Sequence, residues 1–235
     1  MHYGRKEVEK RANRLHSPAT NRIHKLQLIG VRFFLIGLIF MCLFGISMIA
    51  GAFQSILSSA PNPEQIQIIP QGYTTSVLDI SGKVTHTLVG RNANRQYVEL
   101  NDIPQNLQNA VIAIEDERFR THNGVDVQGI FRAVTAGLRN GGNFTQGAST
   151  LTQQLLKNQV FHGGDEPSLY DKLKRKIQEQ YLALEIEKRY SKDEILEYYL
   201  NTINLGQNTL GVQAAARRYF NKPVSELTLS ECTVL

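Results

Sequence analysis

Gly147-Ala148-Ser149-Thr150-Leu151-Thr152-Gln153-Gln154-Leu155-Leu156-Lys157-Asn158 gathers hydroxyl and amide side chains into one short stretch. Thr150-Leu151-Thr152-Gln153 fits a capping box, in which a Thr hydroxyl and a Gln amide three residues later satisfy free backbone groups at a helix start. The stretch therefore predicts a short helix carrying Gln153, Gln154 and Lys157. Lys157 follows Gln153 by four residues, so the two project from one face. Ser149, Thr150, Gln153 and Gln154 supply the donors and acceptors that sugar hydroxyls and phosphates require. A lysine among them suits an anionic, sugar-bearing ligand. A plain capped helix accounts for the same residues without a ligand.

Upstream, the pattern is helical from about residue 102. Asp102 is a candidate cap for a helix with Pro104 in its first turn and Leu107, Val111, Ile112 and Ile114 on its apolar face. That helix delivers Glu115 near its end, in the cluster Glu115-Asp116-Glu117 with Arg118, Arg120 and His122. A solvated helix end explains such a cluster, and a metal site would use the same residue types, but no HExxH or paired-His spacing is present. Asp126 is expected to cap the next helix, with Val127, Ile130, Phe131, Val134 and Leu138 as its apolar stripe. A glycine-rich loop, Gly141 to Gly147, follows.

Downstream, Ser168 starts a long helix reaching about Arg189, Ser191 caps one through about Leu200, and another lies near Leu210–Phe220. Thr228-Leu229-Ser230-Glu231 opens a last helix. Its apolar start, Cys232-Thr233-Val234-Leu235, reads as an unfinished core helix, and so as part of a longer chain. Within the long helix, Arg175 and Glu179 stand at i,i+4. A helix salt bridge worth about 0.2–0.5 kcal/mol is one account. A basic pair, Arg175 and Lys176, for a diphosphate beside a second carboxylate is the other.

The N-terminal third has a different character. Phe33 to Phe53 is an uncharged run of 21 residues. As a helix it spans ~31 Å, about one hydrocarbon core. Eight basic and two acidic residues precede it, and no Lys or Arg follows until Lys83. The positive-inside rule then puts residues 1–32 in the cytoplasm and the rest outside. Ala50-Gly51-Ala52 resembles a signal cleavage site, but the run exceeds the ~7–15 residues of a signal core, which favours an uncleaved anchor. Residues 54–71, with Pro61, Pro63 and Pro70, read as a stalk. Thr74–Leu78 and Val84–Val89 read as strands around a turn at Asp79-Ile80-Ser81-Gly82-Lys83.

Composition narrows the classes. Net charge is +5, and residues 1–32 alone contribute +6, so the folded part carries about −1. This removes the electrostatic support for nucleic-acid binding. The two cysteines, Cys42 and Cys232, suggest neither a disulfide framework nor a redox pair.

Five ordered stretches together are specific. They are Glu115-Asp116 with Phe119, His122 and Gly124; Gly147 to Asn158; Arg175-Lys176 with Glu179; Lys192 to Gly206, including Ile195 to Asn201; and Gly211 with Ala214 to Ala216, Tyr219-Phe220, Lys222, Leu227 and Glu231. Over residues 97–235 the chain resembles the peptidoglycan glycosyltransferase (transglycosylase) domain of class A penicillin-binding proteins and monofunctional transglycosylases, glycosyltransferase family 51. Ala148 replaces a common glycine of the second stretch.

The resemblance implies a mainly α, lysozyme-like glycosyltransferase fold with a large lobe and a smaller membrane-dipping lobe. Here that fold follows a single transmembrane helix (33–53) and a stalk and β-rich lead-in (54–96). It implies transfer onto a sugar 4-hydroxyl, with lipid II and the growing glycan strand as substrates and undecaprenyl diphosphate released. Glu115 is then the catalytic base. Glu179 is the second catalytic carboxylate, a candidate to hold a divalent metal (Mg or Mn) or to orient the leaving group. Ser149, Thr150, Gln153, Gln154, Lys157, Arg175 and Lys176 bind substrate. Asn201, Gly206, Tyr219 and Phe220 are expected to be structural. Partners implied are the membrane and cell-wall synthesis and division proteins, with no nucleic acid. The lead-in resembles that of bifunctional proteins, yet no Ser-x-x-Lys or Lys-Thr-Gly occurs, so no transpeptidase lies in these residues. Two rival readings are a lysozyme-like lytic hydrolase, which would have no diphosphate for the cations to stabilise, and a non-catalytic membrane-anchored scaffold.

Overall fold

The structure, a computed structural model, describes residues 4–15, 18–88, 90, 95–142, 147–161, 163, 166–207 and 209–235. The chain divides into two compact units, Met1–Ser58 and Ser59–Leu235. The first holds α1 (Arg5–Leu15) and α2 (Pro18–Ser58). Among the described residues α2 is the one helix long and apolar enough to cross a membrane, with mean hydropathy 2.6. Phe33, Phe40, Phe44 and Met48 on it are exposed. The helix does not stop at Phe53 as the apolar run suggests. Gln54 to Ser58 contain neither Gly nor Pro and continue it.

In the second unit, β1 (Thr75–Leu78) and β2 (Val84–Leu88) form the expected antiparallel hairpin. Thr75 pairs with Leu88 and Val77 with His86, and a bulge falls between Val77 and Leu78. The Asp79 carboxylate closes the turn by accepting from the Ser81 and Lys83 amides at 2.8 and 3.0 Å. Val89 of the expected second strand lies outside the described residues.

Seven helices follow among the described residues: α3 (Gln105–Glu115), α4 (Val127–Arg139), α5 (Leu151–Gln159), α6 (Leu169–Ile186), α7 (Lys192–Leu200), α8 (Val212–Phe220) and α9 (Leu229–Val234). Their starts follow local chemistry. Asp126, Thr150, Ser168, Ser191 and Thr228 each accept a first-turn amide, and Ser191 and Thr228 complete capping boxes with Glu194 and Glu231. Such caps contribute ~1 kcal/mol each. Asp102 is not a cap. It lies in a separate 3₁₀ turn, Leu100–Asp102, and Pro104 flanks α3 instead.

The core forms where α5 packs against α6 and α7, around Leu151, Leu155, Leu182, Ile186, Ile195 and Leu196. The stalk is not free of the domain: Ile66 and Ile68 are buried in this core, and Arg189 donates to the Pro63 carbonyl. The prolines stop a helix, but extended backbone still buries alternate side chains. The apolar stripe of α4 does not face the core either. Val127, Phe131, Val134 and Leu138 are exposed, while Gly129, Ala133 and Gly137 are buried. The buried positions of the helix are thus its small residues, four apart, and its large apolar side chains point outward. Ile114 of α3 is likewise exposed.

Residues of the fourth and fifth stretches hold the frame. Asn201 accepts from the Val98 amide at 2.9 Å and donates to the Val98 carbonyl at 2.8 Å. Glu197 accepts from the Leu100 amide at 2.7 Å. Tyr219 donates to the Leu205 carbonyl at 2.8 Å, and Gly206 takes a positive φ of 88°. Gly124 has φ +90°, and a Cβ there would fall 2.5 Å from the Ala183 carbonyl oxygen of α6.

Gly124→Ala is therefore expected to cost at least ~1–3 kcal/mol through backbone strain. The melting temperature should fall by several degrees, and an unchanged thermal unfolding curve would contradict this close approach.

Candidate active site

Glu115 is the last residue of α3, and the helix ends there for a visible reason. Asp116 leaves helical geometry, with φ −157°, and turns its carboxylate inward. That buried carboxylate accepts from the Leu151 amide, the first residue of α5, at 3.0 Å. His122 Nε2 meets the same carboxylate at 3.0 Å. The Gly124 amide donates to His122 Nδ1 at 3.1 Å, which places the ring hydrogen on Nε2, toward Asp116. A carboxylate at a helix N-terminus is favoured by the backbone dipoles. The end of α3 is thus fastened to the start of α5.

Thr150 and Gln153 serve the same junction. Both are buried, and they donate to the Gly124 carbonyl at 2.8 and 3.3 Å. Gln154, one residue on, turns outward and donates to Glu115 Oε2 at 2.8 Å. The fully buried Tyr199 hydroxyl donates to Gln154 Oε1 at 3.2 Å. Glu115 itself is exposed. It lines a polar cleft of about 170 Å³ with Glu117, Arg118, Arg132, Ser149 and Thr150. It also borders an apolar cavity of about 260 Å³ lined by Leu107, Val111, Ile203, Val212 and Leu235.

On one side of the cleft, Arg118 makes a forked contact with Asp126, with Nη2–Oδ2 at 2.6 Å. These hydrogen bonds, with one from the Gly129 amide, hold the Asp126 carboxyl at about 2 against the opposing effect of burial. Asp126 thus does more than cap α4. Arg132 sits 3.7 Å from Glu117.

On α6 lies a second charged cluster. Glu179 is completely buried and pairs with Arg175 and with Lys176, the latter at 2.9 Å. Arg175 also meets Glu166 at 2.6 Å. Lys176 donates to Ser149 Oγ at 2.8 Å, which joins this cluster to the cleft wall. The cluster is neutral: two cations against two carboxylates. Arg175 is enclosed, whereas the Lys176 side chain is 41% exposed. Lys157 is half-buried and makes no side-chain hydrogen bond or ion pair among the described residues. The loop residues Asn143 to Gln146 lie outside the described residues.

The surroundings of Glu179 do not fit a divalent cation. Its nearest charged neighbours are two cations, and no group of three His, Cys, Asp or Glu among the described residues could hold a metal. Its carboxylate is matched by ammonium and guanidinium groups instead. The i,i+4 salt bridge anticipated between Arg175 and Glu179 exists, but it is buried rather than superficial.

The structure therefore gathers Glu115, Ser149 and Thr150 at one cleft, sets Gln154 against Glu115, and links Lys176, Arg175 and Glu179 to the cleft through Ser149. Tyr199, Glu166 and the Arg118–Asp126 pair join them without having been singled out for roles. Tyr199 follows the apolar spacing of α7 and reads as core; its hydroxyl was the overlooked signal. Glu166 lies in a Gly/Asp/Pro segment with no pattern to mark it.

A family model described as Transglycosylase matches residues 81–235. The chain belongs to the transglycosylase family. Similar relatives include Penicillin-binding protein 1A of Clostridium perfringens strain 13, 42% identical over 209 residues, covering 87% of this chain and 30% of the relative. Penicillin-binding protein 1A of Neisseria lactamica is 39% identical over 200 residues, covering 85% of this chain and 24% of the relative. The chain thus spans roughly a quarter to a third of the length of these relatives.

Two outcomes follow. Glu179→Gln leaves the enclosed Arg175 and the partly exposed Lys176 short of a partner and should cost about 3–5 kcal/mol, read as a lowered midpoint in denaturant unfolding. The Asp126 carboxyl is depressed in the folded state, so its stabilisation is complete above its ordinary value near 4 and is lost as pH falls toward about 2. Asp126→Asn should flatten the acid limb of stability against pH, and an unaltered limb would refute the assignment.

Proposed function

We propose that the chain is the glycosyltransferase part of a class A penicillin-binding protein, and that it polymerises lipid II into β-1,4-linked glycan strands. The observation that carries this reading is the setting of Glu115. One carboxylate oxygen is held by Gln154, and the other has no partner among the described residues and borders the cleft. A sugar 4-hydroxyl is a poor nucleophile, and a positioned carboxylate raises its reactivity by taking its proton. Glu115 accepts that proton as the hydroxyl oxygen bonds to the anomeric carbon. The bond from that carbon to the lipid diphosphate breaks on the opposite face, which inverts the centre.

The leaving diphosphate gathers charge. Lys176 reaches the cleft wall at Ser149 and is exposed enough to meet it. Arg175 and Glu179 fix Lys176 from behind, and Lys157 is a second candidate cation. Fixed charges of this kind stabilise the transition state without reorganising. Ser149, Thr150, Gln153 and Gln154 shape the sugar and phosphate subsites, with Thr150 and Gln153 acting mainly through the backbone they hold.

In this reading α2 anchors the chain, with residues 1–32 cytoplasmic and the catalytic unit outside. Anchoring confines enzyme and lipid substrate to one surface and raises their effective concentration. The outward apolar stripe of α4 rests in the bilayer interface, where Phe131 and Leu138 gain apolar contact.

Two measurements test this. Full-length chain in detergent with labelled lipid II should give muramidase-sensitive polymer, and Glu115→Gln should lower the rate by about 10²–10⁴-fold. Equal polymer from both proteins would sink the Glu115 assignment. The chain has no tryptophan, so Phe131→Trp supplies a unique fluorophore. In proteoliposomes with brominated acyl chains its emission should be quenched, and unquenched emission would place α4 in water.

A further inference from the structure

Tyr199 is the largest side chain in the core that carries a polar group, at 1% exposure. It belongs to the packed face of α7 with Ile195, Leu196 and Leu200. A phenylalanine would fill the same space, so packing alone gives no reason for the hydroxyl. The only hydrogen bond of that hydroxyl among the described residues runs to Gln154 Oε1.

We propose that Tyr199 is a positioning residue for Glu115, acting through Gln154: its hydroxyl fixes which end of the Gln154 amide faces the Glu115 carboxylate. The proposal rests on the role given to Glu115 above. The chemistry of the chain of contacts has one consistent direction. A carboxylate only accepts, so Glu115 must face the NH₂ end of the amide. That leaves Oε1 toward Tyr199, whose hydroxyl has one hydrogen to give. Each partner therefore specifies the next. Without the hydroxyl, nothing on the buried side distinguishes the two ends of the amide. Gln154 could then turn its oxygen toward Glu115, where oxygen meets oxygen and the hydrogen bond is lost.

The link matters because Glu115 is exposed and stands at a helix end, so the backbone alone does not fix its side chain. Gln154 holds Oε2 and leaves Oε1 for the substrate hydroxyl. Tyr199 sets that choice from inside the core, where its own ring cannot move. Burial, reinforced by the Glu115 charge, raises the Tyr199 hydroxyl above its ordinary value, so it remains a protonated donor through the neutral range.

The test uses the full chain in detergent micelles with Tyr199→Phe, Gln154→Ala, the double variant and Glu115→Gln as reference. Tyr199→Phe should lower kcat roughly 10-fold with KM within about twofold, because geometry and not binding is lost. The double variant should be no slower than Gln154→Ala alone, since the phenol has no route to Glu115 without the amide. Additive losses, or a Tyr199→Phe enzyme with wild-type kcat, would overturn the proposal. An independent readout does not need turnover. The ¹⁵N side-chain amide signals of Gln154 should move in Tyr199→Phe, and unmoved signals would also overturn it. If Tyr199→Phe fails to fold, Gln154→Ala tests the same link from the half-buried side: the ¹³Cζ resonance of Tyr199 should shift. A static resonance would refute the contact. Should Glu115→Gln retain full activity, the role of Glu115 fails, while the two resonances still decide whether Tyr199 orients Gln154.

Discussion

The buried carboxylate of Asp116 is the constraint on which the site depends. It ends α3, binds the first amide of α5 and receives His122, so a single side chain sets where two helices meet. Gly124 completes the joint from the other direction. Its amide holds the histidine, its carbonyl receives Thr150 and Gln153, and its missing Cβ lets the loop lie against α6. Removing a partner from such a buried network leaves an unsatisfied group, which costs about 1–3 kcal/mol and more when the group is charged. Helix ends are ordinarily where a fold is loosest. Here the end that carries Glu115 is tied on several sides.

The cluster on α6 shows the same economy with charge. Glu179 is completely enclosed, and an isolated carboxylate there would be very unfavourable. Arg175 and Lys176 neutralise it, and Glu166 balances Arg175. What reaches solvent is chiefly the side chain of Lys176, whose ammonium contacts Ser149. A cation whose position is set by buried partners is well suited to a developing negative charge, because it need not reorganise. A neutral cluster can still do this, since the local field depends on where the charges sit and not only on their sum.

Much of this was legible in the residues because the information was local. A Ser, Thr or Asp beside a helix start can accept a first-turn amide, and Thr150, Ser168, Ser191 and Asp126 do so. Asp102 does not, and the box expected at Thr150 is half formed, because Gln153 donates to the Gly124 carbonyl instead. Glu115 was legible as a helix-terminal acid for the same reason. Misreadings arose where burial was decided by distant contacts. The stripe of Val127, Phe131, Val134 and Leu138 has the period of a core face, but it is exposed, and the buried residues of the helix are Gly129, Ala133 and Gly137. Periodicity reports that a face is apolar, and not what covers it. Ile66 and Ile68 carried the alternation of a buried extended segment, but the flanking prolines drew attention to the stalk reading. The pairing of Glu166 with Arg175 had no sequence signal, because eight residues and the N-terminus of α6 separate the two.

An exposed carboxylate such as Glu115 raises a question that burial does not. A base enclosed in a core is oriented by its walls, whereas one at a cleft edge must be oriented by a few contacts and left open elsewhere. The arrangement around Glu115 meets both demands by dividing them. Asp116 fixes the backbone, Gln154 fixes one oxygen, and the cleft keeps access to the other. The ring of Tyr199 lies in the core while its hydroxyl reaches the amide, so order passes from packed residues to an open site through two hydrogen bonds. The rigidity is placed one step behind Glu115, in the buried side chains of Asp116 and Tyr199.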